Sequence, residues 1–430
     1  MKIRQNLLGI KIIVCAIGLV IVNILLLSYS LNYFILFNCC LISIFFIIYL
    51  SVVNPKKLLL VSISSLVVSM DRIFPVFDFM FFQKILILYS CLLCIFRYGW
   101  KRVTKISILL LVVLLAISLT LIPKTGNYSN IDLITSFTSI LLGILVFFIK
   151  WNKDESLGVL RLLSKLPLIS LGIGLIFTFI GIHPIINPIS NRLQGATIST
   201  HFVMASTIAL VASLTLYYID STKTNRYMVL LNYILSLATL SRGGIIFSTI
   251  ILLPYIFINI VNGLKSNMKF LKRVYILILL IPILIYFGLN IFERSFSNGE
   301  LNTSNRVQAW EILLKLSEDS RLIGLGIGYI KTIEDPEIAD RGFNAAHNEY
   351  IRLLVESGWV GIILIFCSLF SYMSKIPNDN IANKKSLIIL FYIGFMIYSF
   401  TDNTISAVQF WVPFNLYLGI VYNKGNKVEV

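Results

Sequence analysis

The residues in this chain whose types and spacing could do chemistry are Arg192 in Arg-Leu-Gln-Gly-Ala-Thr, Arg242 in a Ser-Arg-Gly-Gly turn, Arg306 with Arg321, and His347, which is followed by Asn348, Glu349 and Tyr350. An arginine presents a fixed fork of donors that fits phosphate oxygens, and beside lipid it is costly unless paired or given an anion. Several arginines facing one compartment therefore suggest a phosphate or pyrophosphate group held close to a bilayer. An imidazole accepts or donates a proton near neutral pH, so His347 is the candidate base and Glu349 its rival. Asn348 and Glu349 could orient the ring or bind hydroxyls, although successive residues of a helix point in different directions. Trp310 or Tyr350 could stack on a sugar.

Each residue also has a plainer reading. Arg242 could snorkel from a helix end, and Arg192 could be an ordinary loop residue. Arg306 and Arg321 could pair with Glu311, Glu318 or Asp319 on a solvated face, which is the favoured reading for Arg321. Trp310 is better placed for packing against its own loop than for stacking on a ligand. His183 and His201 do not combine with His347 at any metal-ligand spacing, and no Asp-x-Asp pair falls in an outward loop. Gly324-x-Gly326-x-Gly328 lacks the preceding strand of a dinucleotide site and reads as a tight bend bringing two short helices together. Cys91-x-x-Cys94 has no companion pair, and all six cysteines lie in apolar runs, where they read as packing residues.

These groups must be positioned by membrane helices. The chain is 57% hydrophobic and 13% charged, with a mean hydropathy of +0.88, which leaves too little polar surface for a water-soluble globule. Apolar runs of about 17 to 20 residues recur along nearly all 430 positions, the length that a hydrocarbon core of about 30 Å demands. The expected spans are 12–29, 33–53, 58–70, 79–96, 106–122, 132–149, 166–182, 202–219, 227–240, 245–261, 274–291, 356–374, 386–401 and 405–422. The expected fold is thus an all-α integral membrane protein of about 12–14 transmembrane helices, forming one polytopic domain over 1–430. One large extracytoplasmic loop, 292–352, contains short helices. In it, Asn305 with Gln308 marks a helix start, and Val307, Trp310 and Leu314 share a face.

The net charge of +16 would suggest nucleic acid in a soluble protein, but topology explains it better. With both termini cytoplasmic, about 24 basic residues fall inside and about twelve outside, and about seven of those twelve sit in 292–352. The one outward segment that breaks the positive-inside bias is the segment carrying His347, as an anionic ligand would require.

The Ser-Arg-Gly-Gly turn between two spans, Arg306-x3-Trp310 opening a long loop, Gly-Leu-Gly-Ile-Gly, and His347-Asn348 leading into an apolar span together resemble the O-antigen polymerase and O-antigen ligase superfamily. The resemblance covers the chain from about Arg192 to Ile365 and implies a polymerase/ligase-like region over 202–422. It implies a metal-independent, cofactor-free glycosyltransferase of the bacterial inner membrane, acting outside the cytoplasm on undecaprenyl-pyrophosphate-linked glycan. By the same resemblance, Arg192 and Arg242 would hold the donor pyrophosphate and His347 would activate the acceptor hydroxyl. Arg306, Arg321, Trp310, Asn348, Glu349 and Tyr350 would contact substrate. The bilayer is an implied partner, a chain-length regulator and a flippase are candidate partners, and nucleic acid is not expected. By resemblance alone, the Gly-x-Gly-x-Gly run and the His347-to-Gly358 stretch favour a polymerase over a ligase. A lipid-linked glycan transporter is the reading from another class; it expects ionisable residues within the spans, where Lys84 is a rare example.

Overall fold

The computed structural model describes residues 31–69, 79–99, 130–264, 296–297, 300–301, 306–333, 345–374 and 384–421. The expected spans 12–29, 106–122 and 274–291 lie outside the described residues, as do Cys15 and Asn305. The chain divides into two units, residues 1–58 and 59–430. The first contains helix α1 (Leu31–Val53), and the division falls inside α2 (Pro55–Ser65).

In the second unit the chain forms α3 (Phe79–Tyr98), α4 (Asn130–Phe147), α5 (Lys153–Phe179), α6 (Ser199–Ile219), α7 (Lys223–Ala238) and α8 (Arg242–Leu264). A two-residue hairpin, β1 (Phe296–Ser297) with β2 (Glu300–Leu301), precedes α9 (Arg306–Leu316), α10 (Glu349–Ser374), α11 (Lys384–Tyr398) and α12 (Val408–Val421). Apart from that hairpin the described elements are helical. Phe79–Tyr98, Lys153–Phe179, Ser199–Ile219 and Glu349–Phe370 are long and apolar enough to cross a membrane, and α8, α11 and α12 contribute shorter apolar helices. The fold is an all-α integral membrane protein.

The described helices overlap the expected spans but depart from them at three places: α2 ends at Ser65, short of 70, while α10 begins at Glu349 and α5 at Lys153, each before its apolar run. α5 begins at Lys153, well before the apolar run at 166, because Asn152 caps it. Its side chain accepts from Glu155 N–H, and the Glu155 carboxylate accepts from Asn152 N–H in return. Backbone hydrogen bonding does not stop where charged residues begin, so a hydropathy window finds the membrane part of a helix and not its first turns.

The centre of the bundle is α6, buried on all sides from Phe202 to Leu216, and α12, buried along its whole length. An all-round apolar helix belongs in such a place. Interhelical polar contacts set register: Asn232 Nδ2 donates to Ser213 Oγ at 2.8 Å and to Ser164 O at 3.0 Å, joining α7 to α6 and α5. Thr215 Oγ1 meets Tyr417 OH at 2.8 Å between α6 and α12, and Trp411 Nε1 donates to Ile140 O at 3.1 Å between α12 and α4. Each such bond contributes about 0.6–2 kcal/mol where lipid offers no competing partner.

A separate small core lies under the loop elements, built from Leu313 of α9, Ile330, Ala346 and Val355 of α10. It also shows which face of α9 is buried. The buried stripe of α9 is Ala309 and Leu313, while Val307 is exposed, because the helix turns toward α10 along its i, i+4 row.

Candidate active site

The platform of the site is the connection between α11 and α12. Hydroxyl side chains close the end of α11: Ser399 Oγ donates to Phe395 O and Thr401 Oγ1 to Tyr398 O, while Ser399 Oγ meets Thr404 Oγ1 at 2.7 Å. These bonds stop the helix and turn Asp402 inward, where its Oδ1 accepts from Asn403 N–H at 2.9 Å and its Oδ2 from Tyr398 OH at 3.2 Å.

His347 meets this platform at the start of α10, with its Nδ1 3.8 Å from Asp402 Oδ1. The His347 side chain is 34% exposed and that of Asp402 12%, so the imidazole can face a substrate while the carboxylate stays behind it. His347 takes a left-handed conformation, φ 47°, which turns the chain sharply before the helix. Three anchors hold that turn. Trp310 Nε1 donates to Ala346 O at 2.7 Å, Asn348 Oδ1 caps the helix by accepting from Tyr350 and Ile351 N–H, and Glu349 N–H donates to Ser399 O at 2.8 Å.

The arginines arrive from separate places. Arg306, the first residue of α9, donates from Nη1 to Thr401 O at 2.9 Å and lies within electrostatic reach of Asp402 and Arg242. Arg242 opens α8, where glycines bring the backbone in close: a Cβ on Gly243 would fall 2.0 Å from Thr401 Oγ1 and one on Gly244 2.1 Å from Val203 Cγ2. The Ser-Arg-Gly-Gly turn therefore lets a helix start approach the platform. Arg192 belongs to the loop before α6, which is tied to the end of α7 by Leu193 N–H donating to Ala238 O at 3.0 Å. The charges of Arg192 and Arg306 both act on the Tyr398 phenol.

Burial alone would raise the Asp402 carboxyl. The His347 contact, the Asn403 amide and the Arg306 charge outweigh it, and the group is held below the usual carboxylate value. For Arg306, burial and the like charge of Arg242 lower the guanidinium against the opposing pull of Asp402. The fixed charges acting on this platform are thus mainly positive: Arg306 acts on Asp402 and Tyr398, Arg242 on Arg306, and Arg192 on Tyr398.

The other expected site residues divide by position. Asn348 spends its side-chain oxygen on the helix cap. Glu349 is buried: its Oε1 accepts from Arg352 Nε and Nη2 and its Oε2 from Ile405 N–H. Tyr350 OH donates to Met396 O at 2.8 Å, and its ring stacks on Phe366 and leans on Phe400. Arg321 is surface-exposed and pairs with Glu318 at 3.9 Å, on the solvated face favoured for it. His183 is buried with Nε2 3.0 Å from Thr197 O, and no group of three His, Cys, Asp or Glu side chains is arranged for a metal ion among the described residues.

Two features escaped the sequence reading. Asp402 stands in Thr-Asp-Asn, which has ordinary turn chemistry. Glu349, Arg352 and Glu356 recur at i, i+3 and i+7 on one helix face; Arg352 binds both carboxylates, with side-chain exposures of 6%, 0% and 3% for Arg352, Glu349 and Glu356. That periodicity was the available signal.

The glycine run forms the expected bend, with Gly324, Gly326 and Gly328 all at positive φ. It fills a break in α10 at Gly358, whose φ of 64° and ψ of −171° interrupt the helix. Leu325 and Gly326 N–H donate to Val355 and Glu356 O, while Trp359 and Val360 N–H donate to Arg321 and Leu322 O. The backbone groups freed by the break are thus re-paired by the bend.

No curated protein matches the chain. A family model described as O-antigen ligase matches residues 227–366, a stretch that takes in Arg242, Arg306, Trp310 and His347. Over those residues, about a third of the chain, the protein is similar to the family described as O-antigen ligase.

Proposed function

We propose that this protein is a polymerase of undecaprenyl-pyrophosphate-linked oligosaccharide repeat units, acting on the outer face of the bacterial inner membrane to build O-antigen or a related surface polysaccharide. The observation that carries the reading is the convergence of Arg192, Arg242 and Arg306 on the platform where His347 meets Asp402.

The acceptor sugar hydroxyl attacks the anomeric carbon of the donor glycan, forming a glycosidic C–O bond. The bond from that carbon to the pyrophosphate oxygen breaks, and undecaprenyl pyrophosphate leaves with the electron pair. His347 takes the hydroxyl proton, and Asp402 holds the ring and stabilises the imidazolium. Arg192, Arg242 and Arg306 offset the charge growing on the departing pyrophosphate, the arrangement in which fixed donors lower a barrier most. Cationic stabilisation is assigned to arginines, and the reaction so written uses no metal ion. Direct displacement inverts the anomeric configuration. Glu349, with both oxygens already engaged, supports the site and is not its base.

The family description favours a second reading, a ligase that uses the same donor chemistry and transfers the glycan to lipid A-core. The gel profile of surface polysaccharide from cells lacking the gene separates the two. A core carrying a single repeat, with the ladder restored by wild type and not by a membrane-inserted His347→Ala variant, supports the polymerase. A bare core with accumulated long lipid-linked chains establishes the ligase. An unchanged ladder overturns both and returns the question to transport.

A further inference from the structure

The bend that fills the break in α10 turns its apolar side chains outward. Leu322 is 66% exposed and Ile323 43%, and across the two hydrogen bonds that join bend to helix lie Trp359 at 51% and Val360 at 40%. These residues form one patch. Below it, Ile363, Cys367 and Phe370 are exposed at successive steps of three and four residues, the stripe that a crossing helix shows to lipid. The patch therefore continues a lipid-facing stripe past the break and onto a different segment of chain.

Charge places the break at the membrane boundary. Before Gly358, α10 carries Glu349, Arg352 and Glu356, whereas from Gly358 to Ser374 it carries no charged residue. That second part is about 25 Å of helix at about 1.5 Å per residue, close to the hydrocarbon thickness of about 30 Å. Trp359 stands at the junction, where tryptophan favours the headgroup level. Just before the bend, Lys315, Glu318, Asp319 and Arg321 form a polar collar, with Lys315, Glu318 and Asp319 exposed and the Arg321 side chain 49% exposed. A polar collar above an apolar tip is the pattern of a segment seated in an interface.

We propose that the Arg321–Gly324 bend is a membrane-seated wedge, with Leu322 and Ile323 lodged among the upper acyl chains of the leaflet on the site's side. It gives the loop that carries His347 a second hold on the bilayer besides the spans, and so fixes the height of the site above the lipid. Because Leu325 and Gly326 bond directly to α10 one turn before Gly358, the wedge and the helix bearing His347 at its start move as one piece. The proposal does not depend on which glycan reaction the site performs.

The test uses the full-length protein, with its native cysteines replaced, in nanodiscs of phosphatidylethanolamine and phosphatidylglycerol. A bimane probe is attached at Ile323→Cys, or in a second variant at Leu322→Cys. Phosphatidylcholine brominated at acyl positions 6 and 7 should quench the probe several-fold more than aqueous iodide does and more than lipid brominated at positions 11 and 12. A probe at Glu318→Cys should show the reverse preference for iodide. Strong iodide quenching at 323 and 322 would place the bend in water, and indifference to every quencher would mean that protein covers it. Stronger quenching by the deeper bromines would bury it below the interface. Each of these three results overturns the proposal.

Discussion

At the scale of single residues, the proposed site separates the group that would meet substrate from the group that would support it. His347 is the more exposed partner and Asp402 the more buried, so their substitutions should differ in kind. His347→Ala should lower kcat about 10²–10⁴-fold, the usual contribution of a positioned base, with KM little changed, when glycan transfer is measured on purified protein. Asp402→Asn should cost less, because the base itself is retained: the amide oxygen can still accept from Tyr398 OH, while the amide nitrogen takes the place of the charged oxygen that faces His347 and Asn403 N–H. Asp402 is held below the usual carboxylate value, so it stabilises the fold above the unfolded-chain value of about 3.9, and that contribution disappears as pH falls through its lower folded value. Between pH 5 and 8 it stays ionised. Any acid limb of the pH–rate profile in that range should therefore persist in Asp402→Asn at a lower plateau; a limb that vanished would show Asp402 itself titrating there. Arg192, Arg242 and His347 were legible in the sequence because a cation or imidazole stands out against apolar surroundings. Asp402 was not, because a turn between two spans employs an aspartate for purely local reasons.

At the scale of elements, the broken helix α10 and the bend that fills it form one unit. A Cβ on Gly324 would fall 2.4 Å from the carbonyl carbon of Glu356, and one on Gly358 2.4 Å from that of Leu322, both at positive φ. Backbone cannot rotate away as a side chain can, so Gly324→Ala and Gly358→Ala should each open the bend and lower the thermal midpoint sharply. Gly181→Ala is the control: φ is +74° but nothing lies within 4 Å, and the cost should be about 1 kcal/mol of backbone strain. Equal losses at all three positions would show strain, not close approach, to be what the glycines relieve. The buried charges on α10 give a second asymmetry. Arg352→Ala leaves the carboxylates of Glu349 and Glu356 without their shared partner, a change that costs about 3–5 kcal/mol when a buried pair is broken. Glu356→Gln leaves a balanced Arg352–Glu349 pair, so its melting temperature should stay near wild type. The glycine bend could be read from composition because few residues other than glycine tolerate positive φ. Its insertion into a break of a helix further along the chain could not, since the pairing is between backbones and leaves no side-chain pattern.

At the scale of the whole molecule, the crossings were legible because a bilayer imposes length and apolarity on each helix separately. The central position of α6 and α12 was less so, since a lipid-facing helix and a bundle-centre helix are both apolar, and only packing distinguishes α12 from the exposed stripe of α10. Orientation is a further property of the whole, set by where basic residues gather. Lys150, Lys153, Arg161 and Lys165 lie before or in the first half of α5, and Lys223 and Arg226 at the start of α7, away from the helix ends next to Arg192 and Arg242, which predicts that the site faces out and these basic residues face in. The prediction can be checked with single cysteines in a background with the native ones replaced. Glu318→Cys, at an exposed position in the loop segment between α9 and the glycine bend, should react with a membrane-impermeant maleimide in intact cells once the outer membrane is permeabilised. Lys150→Cys and Lys223→Cys, also exposed, should react only after the inner membrane is opened. The reverse pattern would put His347 and its arginines in the cytoplasm, where a donor presented on the outer leaflet could not reach them, and the proposed reaction would fail on topology alone.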